Sequence, residues 1–384
     1  MFPKDNDYMV IGFDGSRAFA NWRTGTENYS YQLLKALARL DSAKRAKIDR
    51  VNNYIVYTKP FISDVITERM KLPKNFKIVE IKWLRLWTQC GLAMQTFKDN
   101  LDVLFVPAHT LPVIRKPALK TVVTVHDLGS EYLPSMHQLK QRLYLSFMQR
   151  FQLKSASKII AVSKATKSDL IKRVDIEGDK IKVVYEGYDK DLFKPAIDEK
   201  PKTYYLFVGT VQPRKNLERI IKAFAIHLRG VPKEKRRSHL GGEVKLVIAG
   251  QKGWMSDEIY RLPKRLGIED RVKFLGYVVD KDLPALYSGA IALLLPSLFE
   301  GFGLPILEAQ ASGCPVITSN VSSMPEVVGK GALLVDPLSV DDIVRGMGEI
   351  GETREKLIKA GFENVRRFSW EKCARETLEV LLSS

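Results

Sequence analysis

The chain of 384 residues has few of the residues that build covalent or metal-bound frameworks. Its three cysteines, Cys90, Cys314 and Cys373, are scattered without a CxxC pair, and its five histidines form no HxxxH or mixed Cys/His pattern. We therefore expect neither a disulfide framework nor a structural metal. The cysteine usage is typical of a reducing compartment.

Long apolar runs are also missing. No stretch reaches the roughly 18–20 residues that a membrane-spanning helix needs. The first residues, MFPKDNDYMVIGFDG, lead from mixed charges directly into a strand-like segment, which is not the pattern of a signal peptide. These absences predict a cytoplasmic protein.

Acidic residues are too few to balance the basic ones. There are 61 Lys and Arg against 44 Asp and Glu, which gives a formal net charge of +17. Nucleic acid, an anionic membrane surface or a phosphate-bearing substrate would each suit this excess. The one dense cluster, KEKRR at 233–237, is typical of a solvated loop. A basic helix with interleaved aromatic residues is absent, so nucleic acid is the least favoured of these partners.

Short apolar segments rich in β-branched residues alternate with segments of helical periodicity. The predicted strands are 8–13, 54–57, 76–81, 103–106, 121–125, 158–162, 182–185, 204–208, 244–249, 272–275, 292–295, 316–318 and 332–335. Helices are predicted between them, for example at 28–40, 166–173, 217–228 and 304–311. Continuous apolar strands with helical crossovers are typical of parallel sheets covered on both faces. Two successive sets predict an α/β chain with two doubly wound, Rossmann-like domains.

The domain boundary is predicted in a polar stretch that has two prolines and no apolar periodicity, GYDKDLFKPAIDEKPKT at 187–203. This gives an N-terminal domain at 1–187, a linker at 188–203 and a C-terminal domain at 204–368. The last segment, 369–384, has helical spacing and could pack on either domain, including by crossing back to the first. Ligands of open α/β sheets bind outside the carboxyl ends of the strands, so we expect the site in a cleft between the two sheets.

Two cations follow the strand predicted at 204–208, in the sequence GTVQPRKN. Arg214 and Lys215 come just before or at the start of the next helix, with Asn216 placed to cap it. A helix N-terminus is itself positive, so two cations there indicate an anion shared with the helix. A guanidinium and an ammonium beside backbone N–H groups suit a diphosphate. The alternative is a pair of exposed surface cations.

Two glutamates flank a glycine loop in the segment SLFEGFGLPILEAQASGCP. Glu300 precedes the loop Gly301-Phe302-Gly303, and the proline and glycine spacing predicts a helix at about 304–312 with Glu308 in its first turn. Neither carboxylate can face a phosphate without repulsion, but both can accept hydrogen bonds from the hydroxyls of a ribose and a donor sugar. Alternatively, Glu308 complements the helix dipole and Glu300 is a solvated loop residue. A nicotinamide site is not expected, because the third glycine of the dinucleotide fingerprint is missing.

The first domain offers weaker candidates. The strand predicted at 121–125 is followed by His126 and Asp127, and the loop after the first strand ends in Gly25-Thr26-Glu27. At the carboxyl end of a strand His126 is a candidate site residue, although a histidine that only packs is the alternative. Gly25 could let the backbone approach a phosphate.

These motifs together resemble the retaining glycosyltransferases of family 4, which have the GT-B fold. The resemblance runs through TGTENY, VTVHDL, VSKATKSDL and VVYEGYD in the first half, and through VGTVQPRKN, AGQKGW, FLGYV, PSLFEGFGLPILEAQASGCPVITSN and SSMPEV in the second. The segment EGFGLPILEA is the most specific of them. The nearest members in kind are mannosyltransferase-like enzymes of surface polysaccharide and lipopolysaccharide synthesis.

The resemblance implies a role for each matching position. Arg214 and Lys215 would bind the donor diphosphate, Glu300 the hydroxyls of the donor sugar and Glu308 those of the ribose, with His126 beside the sugar. The implied catalytic residues are His126, Glu300, Arg214 and Lys215, and the implied donor-binding residues are Gly25, Gly209, Thr210, Arg214, Lys215, Glu300, Gly301, Phe302, Gly303, Leu304 and Glu308. Two positions depart from the family: Thr210 stands where many relatives have arginine, and a glycine usual near Glu27 is replaced.

The implied activity is metal-independent transfer of a hexosyl group from GDP-mannose or a UDP-sugar to a saccharide or lipid-linked acceptor, with retention of configuration. Positive side chains and helix N-termini would take the role of a metal, so no cofactor is expected. A GT-B enzyme of this kind would have its two domains facing across a cleft. The basic surface would suit peripheral contact with an anionic membrane. A sugar-nucleotide epimerase or phosphorylase on the same fold and a basic nucleic-acid-binding protein remain alternatives.

Overall fold

A computed structural model describes residues 8–20, 23–45, 52–60, 70–83, 85–108, 110–128, 150–196, 203–230 and 243–384. The basic cluster at 233–237 and the part of the predicted linker at 197–202 lie outside these ranges. The chain divides into two compact units, one comprising 1–187 with 370–384 and the other 188–369. Within the described ranges, no helix combines the length and apolar character needed to cross a bilayer.

Unit 1 is built on a parallel sheet. Its strands are β1 (Val10–Asp14), β2 (Asn53–Thr58), β3 (Phe76–Glu80), β4 (Val103–Val106), β5 (Lys120–Val125), β6 (Lys158–Ala161) and β7 (Ile181–Val183). In the described residues they form seven strands in the order β3-β2-β1-β4-β5-β6-β7, and every pairing is parallel. The inner strands β1, β2, β4, β5 and β6 are largely buried, as expected for a sheet that is covered on both faces, whereas the edge strands β3 and β7 carry exposed charged residues.

The helices of unit 1 connect and cover these strands. They are α1 (Gly25–Arg45), a π-helix (Trp87–Leu92) that continues into α2 (Ala93–Lys98), and α3 (Lys164–Val174), with the C-terminal α10 (Trp370–Leu382) packed against α1. Ser163 caps α3, its hydroxyl accepting from the Thr166 backbone N–H at 3.0 Å.

Unit 2 repeats the plan with a second parallel sheet. Its strands are β8 (Tyr204–Val208), β9 (Lys245–Ala249), β10 (Val272–Gly276), β11 (Leu293–Leu295), β12 (Val316–Ser319) and β13 (Ala332–Val335). Its helices are α4 (Leu217–Gly230), α5 (Asp257–Arg265), α6 (Leu283–Ser288), α7 (Leu304–Ala311), α8 (Met324–Val328) and α9 (Val340–Val365). Among the described residues the strand order is β10-β9-β8-β11-β12-β13. The order reverses between β8 and β11, which makes their carboxyl ends the topological switch point of this sheet.

Two local predictions are corrected. Glu308 is the fifth residue of α7, so it lies beyond the first turn, which contains no acidic residue. Asn216 does precede α4, but it starts that helix with its backbone carbonyl, which accepts from the Arg219 and Ile220 N–H groups. Its side chain makes other contacts, which are described with the site. The alternative interpretation, in which Glu308 complements the helix dipole, is therefore not supported by its position in the helix.

Candidate active site

Two glycines, one after β8 and one after β9, shape the backbone at this edge of the sheet. Gly209 has a φ of 145°, and the Cβ of an L-residue there would lie 3.8 Å from the Nζ atom of Lys215. Gly250, after β9, packs against it so closely that a Cβ would come within 1.8 Å of the Gly209 carbonyl oxygen. The absence of both side chains sets the path of the β8 loop and leaves its backbone open beside the Lys215 ammonium.

An ion cluster joins the loop after β8 to the loop after β11. Glu300 Oε1 accepts from Lys215 Nζ at 2.5 Å, and Glu300 Oε2 accepts from Arg214 Nη1 at 3.0 Å. The Arg214 guanidinium also donates to the Phe299 carbonyl at 3.2 Å, and the Leu298 N–H donates to the Arg214 carbonyl at 2.9 Å. The anion that the two cations share in this structure is thus a carboxylate of the chain itself. Two cations and one carboxylate leave the cluster with a net positive charge.

The cluster is sheltered from water. The Glu300 and Lys215 side chains are 7% and 10% exposed, whereas that of Arg214 is 22% exposed. Burial alone would raise the pKa of Glu300, but Lys215 and Arg214 outweigh it and lower the pKa to about 2. Glu300 is therefore ionised at every pH near neutrality. Arg214 presents the more accessible face of the cluster.

Three serines hold Glu300 in place, and none of them was predicted as a site residue from the sequence. Ser297 Oγ donates to Glu300 Oε1 at 2.7 Å, while Ser322 and Ser323 donate to the Glu300 carbonyl at 2.6 and 2.9 Å. Ser322 has a φ of 58°, in the left-handed region that serine seldom adopts. These serines belong to PSLFEG and SSMPEV, which are among the segments that resemble the family. Their presence in those motifs is the signal by which they could have been identified as site residues.

All three residues of the glycine loop are buried. Phe302, expected in the donor-binding set, is 4% exposed and packs edge-on against Phe368 at 5.8 Å between ring centroids. Its side chain therefore anchors the loop in the core. Gly303 has a φ of 105° and immediately precedes Leu304, the first residue of α7.

Glu308 occupies a different environment from Glu300. Its Oε2 atom accepts from the Tyr287 hydroxyl at 2.8 Å. Burial of the carboxyl raises the pKa of Glu308 to about 7, against the lowering effect of the Tyr287 hydrogen bond. The residue keeps partial solvent exposure. It is therefore a carboxyl that a hydrogen-bonding ligand can convert to its ionised form near neutral pH.

Asn216 links three strand ends of unit 2. Its Nδ2 atom donates to the carbonyl of Pro296, after β11, at 2.8 Å and to that of Pro337, after β13, at 2.7 Å. Its Oδ1 atom accepts from Arg219 Nη1 at 3.0 Å. One buried amide thus holds the loop of Arg214 and Lys215 at a set distance from the loop of Glu300.

In unit 1, His126 directly follows β5 and is 9% exposed. Its Nδ1 atom lies 3.2 Å from Glu186 Oε1, and its Nε2 atom lies 3.0 Å from the Pro107 carbonyl oxygen. Both partners are acceptors, so a ring with one N–H satisfies one contact and a ring with two satisfies both. The Tyr29 ring packs edge-on against the imidazole at 4.6 Å. Glu186 belongs to the segment VVYEGYD, and no role was predicted for it from the sequence. In the fold it contacts the His126 ring.

The other first-domain candidate, Gly25, is the first residue of α1 and is exposed. Apart from Gly25 itself, its chain neighbours and the backbone of its own helix, no atom of the described residues lies within 4 Å of the place where its Cβ would be. Glu27, where the family pattern has another residue, pairs with Arg17 at 2.6 Å and accepts from Thr24. Burial opposes the ionisation of Glu27, yet Thr24 and Arg17 together lower its pKa.

The structure therefore brings Gly209, Arg214, Lys215 and Glu300 together in unit 2. Thr210 follows Gly209 in the same loop, and both are partly exposed. His126 and Gly25 lie in unit 1. No group of three or more His, Cys, Asp or Glu side chains in the described ranges has a metal-binding arrangement.

Comparison with known proteins gives consistent matches. A family model described as Glycosyl transferases group 1 matches residues 188–364, and one described as Glycosyltransferase Family 4 matches residues 52–192. O-antigen chain mannosyltransferase B of Escherichia coli is 33% identical over 272 residues, which are 67% of this chain and 69% of that protein. O-antigen chain mannosyltransferase RfbU of Salmonella typhimurium is 29% identical over 322 residues, covering 82% of this chain and 83% of that one.

Solved structures agree in fold. Sucrose-phosphate synthase from Thermosynechococcus elongatus is similar with a TM-score of 0.75 at 20% identity, over 98% of both chains. WaaG, a glycosyltransferase involved in lipopolysaccharide biosynthesis, is similar with a TM-score of 0.72 at 16% identity, over 98% of this chain and 100% of that one. With two Rossmann-like parallel sheets and these matches, the chain belongs to the family 4 glycosyltransferases of the GT-B fold.

Proposed function

We propose that the protein transfers a hexosyl group, with mannose as the first candidate, from a nucleoside diphosphate sugar to a saccharide or lipid-linked saccharide. The observation that carries this proposal is the cluster of Arg214, Lys215 and Glu300 at the switch point of the unit 2 sheet. Its net positive charge suits a diphosphate, and its carboxylate suits the hydroxyls of a sugar. The mannosyltransferase names of the E. coli and Salmonella relatives favour GDP-mannose over a UDP-sugar.

In this proposal the diphosphate binds on the accessible side of Arg214, beside the open backbone of Gly209. Glu300 then stays close to both cations but turns its remaining lone pairs to the sugar hydroxyls. Glu308 accepts hydrogen bonds from the ribose diol, which is neutral and suits a carboxylate. The role proposed for His126, whose ring Glu186 orients, is contact with the donor sugar. The phosphate charge and the two hydroxyl-binding acids are thereby kept apart.

We further propose that transfer needs no divalent metal. When the bond between the sugar C1 and the diphosphate oxygen breaks, negative charge develops on the leaving group. Arg214, Lys215 and the N-terminus of α7 are fixed before the reaction and can stabilise that charge. The acceptor hydroxyl forms the new bond to C1 on the same face of the sugar and passes its proton to the leaving diphosphate oxygen, so the configuration at C1 is retained without a carboxylate nucleophile.

Calorimetry with GDP, UDP and ADP tests the donor assignment. GDP is expected to bind most tightly, and GDP-mannose with an acceptor saccharide is expected to release GDP. Activity that persists in EDTA and an α-linked product by NMR would support the metal-free and retaining parts of the proposal. Absence of binding to any of the three diphosphates would overturn the proposed site.

Product analysis separates the alternatives on the same fold. Release of the diphosphate that depends on the acceptor supports transfer. Recovery of a sugar nucleotide whose sugar is inverted at one carbon, without an acceptor, would instead identify an epimerase. Release of a sugar phosphate upon addition of inorganic phosphate would identify a phosphorylase.

A further inference from the structure

Unit 1 carries a surface whose composition is that of a membrane interface, and we propose that it docks on an anionic lipid bilayer. This surface, the 81–116 face, is formed by the segment before the π-helix, the π-helix itself, α2 and the loop at 111–116. The inference rests on these residues alone and does not depend on the donor or on the reaction proposed above.

Large apolar side chains are exposed across the 81–116 face. The exposed fractions are 42% for Trp83, 71% for Leu86, 44% for Met94, 53% for Phe97 and 72% for Ile114. Single exposed apolar residues are common on protein surfaces, so their number alone decides nothing. What matters is whether the fold holds these five together.

Hydrogen bonds join the two segments that carry them. The Gln89 side chain donates to the Leu111 carbonyl at 3.0 Å and accepts from the Val113 N–H at 2.9 Å. The Lys116 N–H donates to Thr96 Oγ1 in α2 at 3.0 Å. The loop that presents Ile114 is thus fixed along the helices that present Met94 and Phe97.

The segment before the π-helix packs directly against that helix. A Cβ at Gly91 would lie 3.0 Å from the Cβ of Trp83 and 2.7 Å from Ile81 Cγ2, so Trp83 packs directly over the helix backbone. Leu86 has a φ of 50°, in the left-handed region that costs a leucine conformational energy. The fold therefore keeps an exposed leucine in a strained backbone position immediately before the π-helix, where a polar residue would suit water better.

The charge of this face favours an anionic partner. Residues 81–98 and 111–116, which form this face, contain Lys82, Arg85, Lys98, Arg115 and Lys116, and they contain no Asp or Glu. Lys82, Arg85 and Lys98 are exposed beside the apolar side chains. Of the acids that flank the first segment, Asp99 accepts from the Tyr57 hydroxyl at 2.7 Å and Glu80 is the last residue of β3.

Proteins that lie in the headgroup region of anionic bilayers typically present aromatic and aliphatic side chains among lysines and arginines. Apolar side chains enter the headgroup boundary, the aliphatic parts of Lys and Arg follow them, and the charged ends meet lipid phosphates. A second copy of the same face would bring like charges together, which opposes self-association through it.

Vesicle flotation tests the proposal with the full chain. Phosphatidylcholine vesicles are compared with vesicles that also contain phosphatidylglycerol, and strong preference for the anionic vesicles is expected. The apolar variant Leu86→Ser with Phe97→Ser, and the charge variant Lys82→Glu with Arg85→Glu, are each expected to lower vesicle binding roughly tenfold or more. Trp83→Phe should remove most of the fluorescence blue shift that accompanies binding.

Matched controls come from unit 2, where Ile226 in α4 is 42% exposed and Lys356 and Lys359 are exposed on α9. Ile226→Ser, and Lys356→Glu with Lys359→Glu, should leave vesicle binding unchanged. Unchanged thermal unfolding and unchanged GDP binding in all variants would show that folding and the donor site are intact. Those readouts also separate a failure of this proposal from a failure of the proposed function.

Three outcomes would overturn the inference. The first is equal binding to neutral and anionic vesicles, or none. The second is anionic binding that the unit 2 charge variant lowers as much as the 81–116 variant does, because the general basic charge would then be responsible. The third is a dimer that Leu86→Ser with Phe97→Ser dissociates while vesicles do not bind, which would assign the face to a second copy.

Discussion

Glu300 and Glu308 stand on opposite sides of one glycine loop, and the protein gives them opposite properties. Burial raises the pKa of both carboxyls, but Lys215 and Arg214 bring that of Glu300 down to about 2, whereas Glu308, with a tyrosine as its partner, rises to about 7. Burial therefore does not decide the protonation state of an acid. The charge of its nearest partners does.

The same difference gives opposite linkage to pH. The folded-state pKa of Glu300 lies below its ordinary value of 4.5, so its contribution to stability is present above that value and lost as pH falls through about 2. The folded-state pKa of Glu308 lies above the same ordinary value, so stability falls as pH rises from 4.5 through about 7. Glu300 is a fixed charge, and Glu308 can change protonation when a ligand binds.

Glu300→Gln should have the largest effect, because it removes the fixed charge from the cluster while keeping its shape. The kcat for sugar transfer is expected to fall roughly 100- to 1000-fold, as when one preorganised electrostatic group is lost. Affinity for GDP should stay the same or rise, since Arg214 and Lys215 lose their internal anion. Initial rates and calorimetry measure the two effects separately.

The matched control for that variant is Glu218→Gln. Glu218 pairs with Lys222 at 2.7 Å but its side chain is 61% exposed. Surface pairs of this kind contribute about 0–1 kcal/mol, so neither kcat nor stability should change much. A kcat for Glu300→Gln near that of the control would show that the two pairs are equivalent and remove the proposed role of Glu300.

Lys215→Ala leaves Glu300 with Arg214 as its remaining cation. GDP affinity is expected to fall roughly 10- to 100-fold, the value of one charge-assisted hydrogen bond. Calorimetry against Lys222→Ala, an exposed lysine of α4, supplies the comparison. If both variants bind GDP as the unsubstituted protein does, the diphosphate is not held at this cluster.

Glu186→Gln extends the comparison to the buried carboxylate of unit 1. Glu186 contacts His126 Nδ1, so its loss should change the orientation of the ring. We expect kcat to fall about tenfold with little change in the donor KM. A fall in thermal stability with unchanged kcat would identify the contact as purely structural.

Binding of GDP should depend on pH through Glu308. A ribose diol binds the ionised carboxylate, so GDP affinity is expected to rise severalfold between about pH 6 and about pH 8. The rise is at most about tenfold for each unit by which ligand binding shifts the pKa of Glu308. Calorimetry in buffers of different ionisation enthalpy should detect release of a proton. Glu308→Gln provides the reference for titration of the diphosphate itself, and an equal pH dependence in this variant would exclude Glu308 as the source.

Tyr287→Phe should have the smallest effect. The Tyr287 hydroxyl lowers the pKa of Glu308, so its removal should raise that pKa further and weaken GDP binding about two- to threefold at neutral pH. The pH midpoint of GDP binding reports this directly. Tyr205→Phe, which removes a buried hydroxyl bound to the Met347 carbonyl, is the control for a general loss of stability.

Much of the fold follows from local pattern. The strands at 103–106, 204–208 and 332–335 and the helix at 304–311 have the predicted bounds. The apolar runs of the three strands end at Pro107, Gly209 and Asp336. The π-helix at Trp87–Leu92 was not predicted, since one extra residue per turn leaves no distinct apolar period. Glu308 was placed in the first turn of α7, although the fifth residue of a helix lies beyond it.

The residues of the site were identifiable, but their contacts were not. Arg214 and Lys215 lie 86 and 85 positions before Glu300, so their pairing depends on β8 and β11 being neighbours in the sheet. Apolar alternation predicts two parallel sheets and leaves the strand order open. From the sequence, the two cations are expected to bind a ligand, whereas in the folded chain they pair first with the Glu300 carboxylate.

The contacts of Asn216 have a consequence for engineering. Because one amide is bound to the carbonyls of Pro296 and Pro337, the loops after β8, β11 and β13 share a single spacing. A chimaera that takes one of these loops from a relative would combine a loop suited to a different loop spacing with the two remaining loops of this chain. Donor preference should therefore be transplantable only when all three loops are exchanged as a set.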